Sequence, residues 1–157
     1  MRNGYLYIGI SLFIAYCMQE VFELRWEYLH ALQLDESFKR WSGLALLLYI
    51  VLQWSLTIFR SKKRWEVHTP LIMEIHKWMG AFSPLAFYIH SMKLGYAYLF
   101  VLSITYFTNV FLGFVHTDTI KTKAYWYFQS WMIAHVAFSL VISMLALYHI
   151  WIVFYYN

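Results

Sequence analysis

Residues 71–92 read LIMEIHKWMGAFSPLAFYIHSM, and residues 126–156 read WYFQSWMIAHVAFSLVISMLALYHIWIVFYY. Both stretches are predominantly apolar. Both are also long enough to cross the hydrocarbon core of a bilayer as a helix, which takes roughly 17 to 25 residues. Each stretch contains two histidines that lie fourteen positions apart. We therefore predict two transmembrane helices that share one pattern of polar side chains.

The rest of the chain has the same apolar character. Of its 157 residues, 62% are hydrophobic and only 13% are charged, which is more apolar surface than a soluble domain of this length can bury. Lipid is the solvent that suits such a chain. We therefore predict an all-α fold, an integral membrane helical bundle of about five transmembrane helices in a single domain, 1–157. The predicted spans are 4–22, 41–59, 71–92, 95–115 and 126–156.

Charge and cysteine content exclude several classes of function. The net charge of +4 comes in small clusters, without the basic stripe that a nucleic-acid partner requires. Cys17 is the one cysteine, so the chain has no internal disulfide, no iron–sulfur ligation and no C-x-x-C-H haem attachment. The sequence presents no catalytic residue set. The partner that the composition does indicate is the lipid bilayer.

Basic residues between the predicted spans indicate an orientation. The run Arg60 to Arg64 follows the second span, and Lys121 and Lys123 follow the fourth. By the positive-inside rule both loops lie inside, which puts the N-terminus with Arg2 inside and the C-terminal Asn157 outside. The third and fifth spans then run in the same direction. We expect a bacterial plasma (inner) membrane or a mitochondrial inner membrane.

Four of the seven histidines, His76, His90, His135 and His149, lie inside the third and fifth spans. Fourteen residues of helix rise roughly 21 Å and return to within about 40° of the same face. Because the two spans are predicted to be parallel, His76 is level with His135 and His90 is level with His149. The sequence therefore predicts two pairs of imidazoles stacked across the membrane.

Paired imidazoles at two depths suggest two b-type haems. Bis-histidine ligation fills both axial positions of the iron, which suits electron transfer better than oxygen chemistry. Gly80, one turn from His76, would let a porphyrin approach the backbone. Ala146 is a small residue one turn before His149, and Phe87 is a candidate for packing between the haems. Pro84 removes a helical hydrogen bond to the carbonyl of Gly80 and predicts a kink.

Histidines inside a membrane also have plainer roles, as satisfied core residues, as helix–helix hydrogen bonds or as parts of a proton relay. One alternative is therefore a structural or assembly subunit of a larger membrane complex, without a cofactor of its own. Another is a proton-coupled carrier. A di-iron site is disfavoured, because Glu74 is the only carboxylate near the span histidines and none of these histidines belongs to a Glu-x-x-His pair.

A resemblance to a known family points the same way. The segment His76-Lys77-Trp78-Met79-Gly80, running on to His90, resembles the first haem helix of ferric reductase-like transmembrane domains. The segment from His135 to His149 resembles the second, so the resemblance covers residues 71–156. It implies that His76 and His135 bind an inner haem and that His90 and His149 bind an outer one. Electrons would pass from an inner donor to an outer acceptor.

Two departures from that family limit the expected activity. Its members typically have a sixth span, and many carry a flavin and nicotinamide domain, whereas this sequence has no G-x-G-x-x-G motif. We therefore expect an electron-transfer subunit of an oxidoreductase that works with a redox partner protein or other subunits. The cytochrome b of quinol-oxidising complexes has a similar paired spacing, so a quinone-linked subunit is an alternative.

Overall fold

A computed structural model describes residues 4–156, without the side chains of Thr117 and Asp118. The predicted all-α class is confirmed: the chain is 85% helix, and residues 4–156 form no strand. The helices are α1 (Gly4–Val21), α2 (Glu27–Leu34), α3 (Glu36–Gln53), α4 (Ser55–Ser61), α5 (Thr69–His90), α6 (Tyr98–Phe114), α7 (Thr117–Ile120) and α8 (Tyr125–Tyr155), with a short 3₁₀ helix, Lys63–His68, before α5. The positive-inside rule predicts Arg2 on the inner side and Asn157 on the outer side of the membrane. Both lie outside the described residues.

All five predicted spans are helical, but they differ in apolar character. Within residues 4–156, three helical segments are long and apolar enough to cross a membrane: Gly4–Val21, Glu36–Ser61 and Tyr125–Tyr155. Helix α6 is apolar but shorter, with 17 residues. Helix α5 has 22 residues and falls short in apolarity, because it includes charged and polar side chains such as Glu74 and Lys77. Three spans are therefore supported by length and composition, where about five were predicted.

The second predicted span differs from its helix at both ends. The prediction began at residue 41, whereas α3 begins at Glu36 because the Asp35 carboxylate accepts a hydrogen bond from the Phe38 amide at 2.7 Å. Such a side-chain cap satisfies an amide that the first turn leaves without a helical partner. At the other end the helix is interrupted at Trp54 before it continues as α4.

The chain divides into two compact units between Met92 and Lys93. In the first unit α5 packs against α1, α3 and α4. Edge-on ring contacts of Tyr5 with Trp78 and of Tyr16 with Phe87 show that α1 runs parallel to α5. The Tyr49 hydroxyl, in α3, donates to the carbonyl of Met79 in α5. Helix α5 is thus enclosed on several sides by its own unit.

The second unit is an antiparallel pair of helices, α6 and α8. The Asn109 amide, midway along α6, donates to the Ser139 hydroxyl at 2.9 Å. Near the end of α6, the Trp131 indole donates to the Leu112 carbonyl at 2.7 Å, and the Tyr127 hydroxyl donates to the Val115 carbonyl at 2.5 Å. From Asn109 to Val115 the contacts advance along α6, while on α8 they move back from Ser139 to Tyr127. The two helices therefore run antiparallel.

Large apolar side chains remain exposed along the long helices. Exposed fractions are 54% for Ile14 in α1, 54% for Val51 in α3 and 73% for Met144 in α8. Large exposed apolar patches are rare on soluble monomers and usually mark contact with a partner or a membrane. The outer faces of these helices are therefore suited to an apolar surrounding rather than to water.

Candidate functional site

The four span histidines lie on two continuous helices. His76 and His90 belong to α5, of which His90 is the last residue, and His135 and His149 belong to α8. Because each helix is unbroken between its two histidines, each pair is separated by roughly 21 Å along the axis. All four side chains are partly buried. The spacing predicted from the sequence is thus present on both helices.

His76 is held by the end of the neighbouring helix α3. Its Nδ1 atom lies 3.2 Å from the carbonyl oxygen of Gln53. In an uninterrupted helix this carbonyl would accept from the Thr57 amide, but at the break that amide donates to the Trp54 carbonyl at 3.0 Å. The break therefore leaves the Gln53 carbonyl available for the imidazole. A carbonyl oxygen only accepts, so His76 is the donor through Nδ1–H.

His90 is held by the opposite end of α3. Its Nδ1 atom lies 3.0 Å from the hydroxyl oxygen of Ser42. That hydroxyl is also 3.3 Å from the carbonyl of Lys39, to which it donates. A Cβ built on the next residue, Gly43, would lie 3.1 Å from Cε1 of His90, which is tighter than ordinary packing. Glycine at this position thus allows the imidazole to lie close against the α3 backbone.

Gln33, in α2, caps the end of α5 beside His90. Its side-chain amide donates to the carbonyls of Tyr88 at 2.8 Å and Ile89 at 3.1 Å. Its side-chain oxygen accepts from the amide of Met92 at 3.2 Å. The last carbonyls of a helix have no partner within the helix, so these bonds stabilise the turn that carries His90.

The two α8 histidines have aromatic neighbours. The phenol oxygen of Tyr98, at the start of α6, lies 3.3 Å from Nδ1 of His149. The His135 ring is stacked on Trp131, one turn earlier in α8, with centroids 5.7 Å apart and an interplanar angle of 8°. The backbone carbonyl of His135 accepts from the Ser139 hydroxyl at 2.8 Å. The His149 imidazole is therefore contacted from α6, and the His135 ring by an aromatic side chain of its own helix.

Gly80 has open space beside it, since a Cβ added there would meet no heavy atom within 4 Å. Pro84 cannot donate to the Gly80 carbonyl, and the Ser83 hydroxyl donates to it instead at 2.6 Å. Phe87 is buried and packs edge-on against Tyr16 of α1, with ring centroids 5.6 Å apart. The predicted place of Phe87 between two haems stays a prediction.

Ala146 is buried, as is Ile142 one turn before it. These are the residues of α8 that are most enclosed by protein. Contact of Ala146 with a haem stays a prediction.

These observations permit a test of whether the residues fit a haem. A haem ligand coordinates through one imidazole nitrogen, while the other donates a hydrogen bond that fixes the ring. The Nδ1 contact of His76 with a carbonyl meets that requirement, Nδ1 of His90 lies within hydrogen-bonding distance of the Ser42 hydroxyl, and the open space at Gly80 would accept the edge of a flat ring. In the described part of the chain, no three His, Cys, Asp or Glu side chains form a group that could hold a metal ion. The pairing of His76 with His135 and of His90 with His149 joins residues of different units and stays a prediction.

Sequence reasoning missed the residues that support the histidines: Ser42, Gly43, Gln53 and Gln33. Ser42 and Gly43 carry a weak signal, as a hydroxyl and a glycine at the start of an apolar run. The sequence gives no indication of the Gln53 carbonyl, because every residue has a backbone carbonyl and only the break at Trp54 makes this one accessible. No family model, no curated protein and no solved structure matches this chain. The site is therefore interpreted from its own residues.

Proposed function

We propose that this chain is a membrane cytochrome subunit that binds two b-type haems and passes electrons across a bilayer. The observation that carries the proposal is the arrangement of His76 and His90. They lie fourteen residues apart on one helix, and each is fixed through Nδ1 by the neighbouring helix α3. An imidazole that donates through Nδ1 has its lone pair on Nε2, which is the form that binds a metal.

The proposed ligands are His76 with His135 for one haem and His90 with His149 for the other. Haem iron would supply the one-electron chemistry when bound. The chain's own contribution is to orient each imidazole, to leave space beside Gly80 and to surround the site with apolar side chains. Phe87 and Ala146 are proposed to pack near the porphyrins.

In this proposal all five long helices cross the membrane. Helix α6, with 17 residues, is at the lower limit of a spanning length, which is roughly 17 to 25 residues. Helix α5 is less apolar, and three of its polar side chains have partners within the protein: His76 and His90 with α3, and the Ser83 hydroxyl with the Gly80 carbonyl. Polar groups satisfied in this way are tolerated inside a membrane.

The proposal includes a partner. We infer that the chain is the cytochrome subunit of an oxidoreductase, which receives electrons from a redox protein or another subunit on the inner side and delivers them outside. A quinone is the alternative electron donor or acceptor. The proposed location is a bacterial plasma membrane or a mitochondrial inner membrane, with Arg60 to Arg64 on the inner side by the positive-inside rule.

The experiment that tests this proposal is a reduced-minus-oxidised absorption spectrum of the chain purified in detergent from membranes with an ample haem supply. We expect the absorption bands of a bis-histidine b-type haem. Replacement of any of the four span histidines by Ala should remove at least one haem. The matched controls are His30→Ala and His68→Ala, which leave the proposed ligands intact and should bind haem as the natural chain does.

A structural subunit without haem is the second candidate, and specific contacts favour it. His76, His90 and His149 each have a hydrogen-bonding contact with another helix or its end, as packing histidines would. Contacts of this kind are worth on average about 0.6 kcal/mol in a membrane protein. A colourless protein that keeps its fold when His90 is replaced by Gln would support this second candidate and contradict the first.

A further inference from the structure

Helix α3 contacts the two histidines of α5 at its two ends. Ser42, in the second turn of α3, contacts His90, and Gln53, its last residue, contacts His76. The two contacts use unlike groups, a side-chain hydroxyl at one end and a backbone carbonyl at the other. Helix α3 is therefore in a position to control both imidazoles of α5.

We propose that α3 is the positioning helix for this histidine pair: it holds both imidazoles in the Nδ1–H tautomer, which puts the lone pair of each ring on Nε2. The part of this inference that concerns haem rests on the proposed function. The part that concerns the tautomers of the two imidazoles rests on the hydrogen bonds alone.

The tautomer of His76 follows from the nature of its partner. The Gln53 carbonyl cannot donate, so the hydrogen bond requires a proton on Nδ1. The carbonyl is accessible because the helix is interrupted at Trp54, where the Thr57 amide has shifted by one residue to the Trp54 carbonyl. The interruption between α3 and α4 is thus the feature that orients His76.

The tautomer of His90 follows from a chain of two hydrogen bonds. A serine hydroxyl can donate or accept, so its contact with Nδ1 alone does not decide the direction. The Ser42 hydroxyl has one proton, and the Lys39 carbonyl, 3.3 Å away, can only accept it. We infer that the hydroxyl donates to this carbonyl, so that the Ser42 oxygen accepts from Nδ1–H of His90 at 3.0 Å. Gly43 leaves the space in which this ring lies.

The two positions should respond differently to substitution. Ser42→Ala removes the acceptor for His90 and leaves the backbone carbonyl at His76 untouched. A hydrogen-bond acceptor on the second nitrogen raises the basicity of a coordinating imidazole and lowers the reduction potential of its iron. Ser42→Ala should therefore raise the potential of the haem bound by His90 and leave the other haem unchanged.

The test is ¹⁵N NMR of the full chain, labelled at histidine and purified in detergent, both without haem and after loading with haem. Long-range ¹H–¹⁵N correlations distinguish the two tautomers, and His76→Gln and His90→Gln assign the signals. In the haem-free chain we expect His76 and His90 as Nδ1–H. Ser42→Ala should abolish this form at His90 alone, and Ser42→Thr, which keeps the hydroxyl, should restore it.

Ser61→Ala is the matched control, because the Ser61 hydroxyl is exposed and donates within its own turn to the Ile58 carbonyl at 2.9 Å. It should leave both tautomers unchanged. The inference is overturned if either α5 histidine is Nε2–H in the natural chain, or if Ser42→Ala changes nothing at His90. Failure of the proposed function is a different result: the chain takes up no haem, while the haem-free spectra still decide the role of α3.

In the haem-loaded chain the measurement is a spectroelectrochemical titration that follows both haems. The expected result for Ser42→Ala is an upward shift of one potential, with the second potential and the haem content unchanged. Equal shifts of both haems, or no shift, would contradict a positioning role of Ser42 at a haem ligand.

Discussion

Ser83 replaces a hydrogen bond that its neighbour cannot make. Pro84 lacks an amide hydrogen, and the Ser83 hydroxyl donates to the Gly80 carbonyl at 2.6 Å, while both residues are buried. Ser83→Ala would leave that carbonyl without its donor and should lower the free energy of unfolding by about 1–3 kcal/mol. Reversible unfolding of both proteins in mixed detergent measures this difference in the free energy of unfolding. Ser61→Ala, on an exposed face, is the control, and an equal loss in both variants would contradict the assignment.

At the residue scale, the sequence predicted the histidines but not the groups that hold them. His76, His90, His135 and His149 stand out because ionisable side chains inside apolar runs are rare and their spacing repeats. The Gln53 carbonyl could not be found, because it becomes a partner only where the helix is interrupted. The hydrogen bond lost at Pro84 was predicted correctly, but its replacement by the hydroxyl of Ser83 depends on a side-chain rotamer that the sequence does not specify.

At the scale of elements, the start of α3 depends on one carboxylate. Asp35→Ala removes the acceptor of the Phe38 amide and should cost about 0.5–2 kcal/mol of stability, with the first turn of α3 frayed. Hydrogen exchange at the Phe38 amide measures the local effect and should become faster. Asp35→Asn keeps a capping oxygen and is the control. Unchanged exchange in Asp35→Ala would contradict a capping role.

The end of α5 depends on Gln33 in the same way. Gln33→Glu removes the amide donor to the Tyr88 and Ile89 carbonyls. We expect faster hydrogen exchange at the amides of the last turn of α5, because that turn loses its cap. Gln129→Glu is the matched control, since the Gln129 amide donates to the exposed hydroxyl of Tyr125. Equal exchange rates in the natural chain and in Gln33→Glu would contradict the contact.

Element boundaries were predicted well where apolar length decides them and poorly where polar contacts do. The first predicted span, 4–22, agrees with α1 to within one residue. The second began five residues too late, since the cap at Asp35 extends α3 beyond its apolar part. The third was predicted from hydrophobic length, yet α5 includes polar side chains, of which His76, His90 and Ser83 have hydrogen-bonding contacts within its unit.

At the scale of the whole molecule, composition predicted the all-α class, and the positive-inside rule predicts an orientation that labelling can test. With Cys17 replaced by Ser, a cysteine introduced by Ser61→Cys should react with a membrane-impermeant maleimide only from the inner side. A cysteine introduced by Tyr156→Cys should react only from the outer side. Both positions are exposed in the structure. Labelling of both cysteines from one side would contradict an odd number of membrane crossings between Ser61 and Tyr156.

The proposed binding of two haems by four histidines on two helices is tested by a pyridine haemochrome assay on the purified chain, combined with quantitative amino-acid analysis. We predict two haems per chain in the natural sequence and a lower content in every variant of His76, His90, His135 and His149. A natural chain that contains no haem after expression with ample haem supply would contradict the claim.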